Sequence, residues 1–183
     1  RMNSTPGRLI GGAIAALLLL ATIGGRHAQA QPSQPSEYEV KAAFLYNFAR
    51  FVEWPEEDQA GPTFTICIVG EDPFGEAFES IEGRQVRGRT LVVDRRPELG
   101  GQACDMLFIS SSERRRMGVI LAALEARPIL TVSEVDGFGS QGGMINFVLE
   151  QREVRFEISI EAVERAGLEM SAKLLRVARV AKD

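Results

Sequence analysis

Phe64-Thr65-Ile66-Cys67-Ile68-Val69-Gly70-Glu71-Asp72-Pro73 is the stretch that decides the fold class. Its first six residues are apolar or β-branched and read as a short buried strand. Gly70 breaks the run. Asp72 then stands where a helix cap belongs and Pro73 where a first helical residue belongs, so the spacing predicts a helix to about residue 81. A strand passing at once into a helix is the unit from which α/β sheets are built. Downstream, residues 89–93, 104–110 and 129–132 read as three more strands. A helix is predicted between the last two over 113–126, capped by Ser111 or Ser112, with Met117, Ile120, Leu121 and Leu124 on one face. Upstream, residues 37–53 read as a helix. Ser36 and Glu39 form a capping box at its start, and Pro55 forces its end at Trp54.

After residue 132 the pattern changes. Residues 144–149 and 154–160 are two strands joined by Glu150-Gln151-Arg152-Glu153, which is hairpin spacing. Residues 162–182 read as helix, interrupted at Gly167, with Leu174, Leu175 and Val177 on the buried side. The fold class expected is α/β: one domain with a mixed sheet of about six strands, mostly parallel, a C-terminal antiparallel hairpin, and helices on both faces.

Residues 1–30 have the form of a secretory signal peptide. Arg1 and Arg8 precede a short apolar run through Leu17 to Leu20, and Ala28-Gln29-Ala30 fits the cleavage pattern. Residues 31–36 are polar and proline-spaced, a flexible leader, and 37–183 form the domain. A periplasmic location follows as the expectation. Loss of Arg1, Arg8 and Arg26 from the 21 basic residues leaves 18 against 25 acids. That balance disfavours nucleic acid as a partner.

The single histidine, His27, lies in the segment expected to be cut away. The exported product then has no imidazole for acid–base, triad or metal chemistry. Gly-x-Ser-x-Gly is absent. Asp105, Glu134, Asp136 and Glu157 do not pair by spacing, and the loop after Val69 lacks phosphate-loop spacing. Arg114-Arg115-Arg116 reads as a solvated helix face. No enzyme, cofactor or metal is expected. Cys67 and Cys104 read as one disulfide in an oxidising compartment, closing a loop of about 38 residues, or as two buried thiols. A bridge would require the first and third strands to be neighbours, with the second outside the first. Trp54, at a helix end beside proline, is expected to be partly exposed. Gly137-Phe138-Gly139-Ser140-Gln141-Gly142-Gly143 is a turn that needs positive φ or a ligand loop. Trp54, Phe138, Gly142 and Gly143 are thus the residues proposed for a partner or ligand surface.

The order of several segments resembles the YfiR-like family of periplasmic proteins. They are Lys41-Ala42-Ala43-Phe44-Leu45-Tyr46-Asn47-Phe48, Phe51-Val52-Glu53-Trp54-Pro55, Ile66 through Gly75, Cys104 through Ser110, Gly142-Gly143-Met144-Ile145-Asn146-Phe147, Val154 through Ile158, and Ser171-Ala172-Lys173-Leu174-Leu175. The resemblance implies a repressor that binds the periplasmic part of a membrane diguanylate cyclase and so lowers cyclic di-GMP and biofilm formation. It also implies release by redox damage or by capture on an outer-membrane lipoprotein, and a homodimer. Cys67 and Cys104 match one of the two disulfides in that pattern. The second pair has no counterpart, since no cysteine follows Cys104. The alternative is a periplasmic small-ligand sensing domain serving another membrane sensor, such as a histidine kinase.

Overall fold

The computed structural model describes residues 34–55, 61–96, 104–124 and 127–180. The expected signal peptide and residues 31–33 of the leader lie outside them. Helix α1 (Glu37–Phe51) opens with the expected capping box: the Glu39 N–H donates to Ser36 Oγ, and the Ser36 N–H donates to the Glu39 carboxylate. Strand β1 (Val52–Glu53) follows directly. Next come β2 (Thr63–Val69), a 3-10 turn (Gly75–Ser80), β3 (Gln85–Val86), β4 (Arg89–Arg96) and β5 (Met106–Ile109). A second 3-10 turn (Ser111–Arg116) leads into α2 (Met117–Ala123) and then β6 (Leu130–Ser133). A third turn (Gly139–Gln141) precedes β7 (Ile145–Glu150) and β8 (Glu153–Ile158). The chain continues with α3 (Ile160–Arg165), β9 (Glu169–Met170), α4 (Ala172–Leu175) and β10 (Arg179–Val180).

The main sheet has the order β10-β8-β7-β6-β5-β2-β4-β3. Its six central strands are the six expected from sequence. From β4 to β7 all neighbours are parallel, and β7–β8 is the antiparallel hairpin. β2 lies between β4 and β5, as a bridge between the first and third strands requires. Alternation along β2 feeds two cores. Phe64, Ile66 and Ile68 face α1, whose Leu45 and Phe48 are fully buried with Phe108, Val132, Ile145 and Phe156. Cys67 and Val69 face α2, with Met117, Ile120, Leu121, Leu107 and Ile109. Because both faces are covered, β5 is buried at every position and reads as one unbroken apolar run.

Four local expectations are corrected. Helix α1 stops at Phe51, and Val52–Glu53 instead pairs antiparallel with β9, Val52 opposite Met170. Asp72 caps no α-helix: its carboxylate accepts the Phe74 N–H at 2.8 Å and pairs with Arg95 at 2.7 Å, and a 3-10 turn follows. Ser110, not Ser111 or Ser112, caps the next segment, whose first six residues are 3-10. The predicted C-terminal helix is mostly replaced. Gly167, at φ +71°, ends α3. Short β9, a four-residue α4 capped by Ser171, and β10 follow it. Leu174 is buried there, but Val177 is 68% exposed.

Candidate functional site

In an open parallel sheet, ligands settle beyond the carboxyl ends of the strands, where the strand order reverses. Here that point lies between β2 and β5. It is filled by the protein itself. Gly70 sits at φ +91°, and a Cβ there would lie 2.4 Å from Ser112 Oγ and 2.9 Å from Glu113 Cγ. Ser112 Oγ accepts the Glu71 N–H at 3.0 Å. The expected position is therefore occupied by protein atoms.

At the opposite end of the same two strands lies a buried polar cluster. Cys67 and Cys104 are disulfide-bonded with Cα atoms 5.8 Å apart. Next to Cys104, the Asp105 carboxylate accepts both guanidinium arms of Arg89, at 2.7 and 3.1 Å, and the Thr65 N–H at 2.7 Å. The Asp105 carbonyl accepts the indole N–H of Trp54 at 3.2 Å. Trp54 is 5% exposed and meets Phe64 edge-on. This corrects its expected place on the surface: the chain beside Pro55 turns inward, and the indole finds both an apolar wall and an acceptor.

The glycine-rich segment is a compressed crossover. A parallel connection usually spends a dozen or more residues and a helix. Between β6 and β7 the chain uses one 3-10 turn, with Phe138 as the plug. Phe138 is fully buried in the α2-side core, so it too is corrected from a surface residue to a core one. Gly143 makes room for it: a Cβ there would lie 2.3 Å from the ring. Gly142 is left-handed at φ +93° and closes the turn. Of the four expected surface residues, Gly142 lines an open cleft, beside Gln141 and Arg165.

Sequence reasoning passed over Lys41. It recurs with Leu45 and Phe48 on the buried face of α1 and is itself buried. Its ammonium donates to Glu134 at 2.6 Å and to Glu37, and Tyr38 Oη donates to the same Glu134 carboxylate at 3.3 Å. Burial on its own would lower the Lys41 pKa. The hydrogen bonds to Glu134 and Glu37 outweigh it and hold the value above the usual lysine range. Burial, then the Glu134 charge, push Tyr38 up as well. A lysine at helical spacing with two core residues was the available signal.

Beside α1 runs an apolar groove of about 680 Å³ between the helix start and the β7–β8 hairpin. Val40, Phe44, Leu149 and Val154 form it, and Glu37, Arg152, Glu153 and Arg155 ring it. Leu149 is 56% exposed. Among the described residues no group of three or more His, Cys, Asp or Glu is placed to hold a metal, and no helix is long and apolar enough to cross a membrane.

A mixed α/β sheet covered on both faces, stapled by a disulfide and with its switch-point crevice filled, defines the structural class. The YfiR/HmsC-like family model matches residues 38–179, and the chain belongs to that family.

Proposed function

We propose that this chain is a non-enzymatic periplasmic regulator that binds the periplasmic part of a membrane signalling protein, and that this target is a diguanylate cyclase held inactive by the contact. The family membership over residues 38–179 carries the reading. The expected export signal and the engagement of Asp105 and Glu134 in ion pairs agree with it. The α1–hairpin groove is the face assigned to docking. Leu149 there is a large apolar side chain left in water next to alternating charges, the pattern of a contact patch with a polar rim. Release of the target by an outer-membrane lipoprotein, and pairing of two copies, belong to the same reading. A sensor kinase is the alternative target.

The test is capture from solubilised membranes with the tagged full-length protein. A membrane cyclase should be recovered, deletion of the gene should raise cyclic di-GMP, and Leu149→Glu should lose the capture without lowering the unfolding temperature. Unchanged cyclic di-GMP on deletion, with no membrane sensor recovered, overturns the proposal.

A further inference from the structure

The glycine-rich crossover has a second side. Phe138 fills the space beneath it, but its outer edge, with α2 and α3, encloses a separate cleft of about 230 Å³. That is room for roughly eight water-sized atoms. Leu121, Leu124, Met144 and Ala162 give it an apolar wall, and each is at least nine-tenths buried. The polar side chains along it are Thr131, Gln141 and Arg165, and the charged one among them is Arg165, from the last turn of α3.

The geometry of Arg165 gives the site its chemistry. Its Nη2 donates to Glu161 at 2.8 Å, an exposed pair one helical turn away. Such pairs hold a side chain weakly. The guanidinium has five N–H donors and no acceptor. Its Nη1 points toward Gly142, close enough that a Cβ at that position would lie 3.9 Å from it. Gly142 itself is left-handed at φ +93°, a conformation that favours glycine.

We infer that this cleft binds a small organic monocarboxylate, its apolar tail against Leu121, Leu124 and Met144 and its carboxylate on Arg165 with the Gln141 amide beside it. Apolar side chains along the wall, with two neutral polar ones and a single cation, suit that shape of ligand. A free amine would meet the guanidinium as a like charge. A neutral amide would keep the apolar contact but lose the ion pair. The inference does not depend on the regulator reading, because binding is measured on the purified protein without any partner.

Calorimetric titration of the full chain with butanoate, 3-methylbutanoate, 4-methylpentanoate and hexanoate tests it. At least one should bind with a dissociation constant on the order of 1 mM or tighter. The amide of the same acid should bind about tenfold more weakly or worse. Arg165→Gln should abolish the preference for acid over amide. Gly118→Leu, in α2 at the cleft wall with open space around its Cα, should abolish binding while leaving the unfolding temperature of the unliganded protein no lower. The proposal falls if none of the four acids binds, if acid and amide bind alike, or if Arg165→Gln retains the preference.

Discussion

Two charged pairs are buried at opposite ends of the sheet, and they are built differently. Arg89–Asp105 closes the amino-terminal end of β2, β4 and β5 with a bidentate contact, a backbone N–H and an adjacent disulfide. Lys41–Glu134 ties the first turns of α1 to the loop after β6, with one ammonium shared between Glu134 and Glu37. The first reaches from β4 to the start of β5 across β2, within one sheet. The second joins two layers. The sheet end is therefore stitched several times over, while the helix that borders the apolar groove is pinned through fewer polar contacts.

The cost of orphaning a partner separates them. A guanidinium cannot shed its charge when its acceptor is removed, whereas a carboxylate left without its cation can take up a proton. Asp105→Ala should therefore be the most destabilising of these changes, by about 3–5 kcal/mol, since Arg89 is left buried and charged. Chemical denaturation measures it. Cys67→Ala with Cys104→Ala should follow, at about 3–4 kcal/mol from loop entropy. Because the bridge and Asp105 adjoin, the triple variant should lose less than the sum of the two, and strict additivity would show that they are not one unit. Lys41→Met should cost less than either, about 2–3 kcal/mol, because its long apolar stem is replaced in kind and only the cation is lost. If Lys41→Met proves worse than Asp105→Ala, the asymmetry between the two ends is wrong.

The regions differ in the same way in how far sequence discloses them. From β2 to β8, apart from the two-residue β3, each strand is an alternating or unbroken apolar run bounded by a glycine, a proline or a cap, so the six central strands and their directions were readable. Even the β4-β2-β5 order followed from the cysteines. Beyond Gly167 the elements are two to four residues long, too short for a period to exist, and β9 and β10 are strands only because Val52 and Glu157 lie opposite them. The site residues failed for a related reason. Trp54 and Phe138 look like surface aromatics until the fold brings an acceptor to one and a glycine to the other. Lys41 looks like a solvated lysine until Glu134, 93 positions away, arrives as its counter-ion.

Alkaline titration sharpens the comparison with the smallest effect and no mutation. Lys41 and Tyr38 both have values raised above their ordinary 10.5 and 10.0. For a raised group the stabilising contribution is complete below its unfolded value and is lost as pH climbs through the folded one. A guanidinium, unlike an ammonium or a phenol, does not titrate in that window. Raising the pH past 10 should thus loosen the α1 end while the Arg89–Asp105 end holds. Hydrogen exchange read by mass spectrometry, after correction for the intrinsic rate, should show protection falling in α1 before it falls in β2 and β5. In Lys41→Met the difference between the two ends should depend less on pH. Equal loss of protection at both ends would mean that the ammonium contributes nothing particular to holding α1 in place.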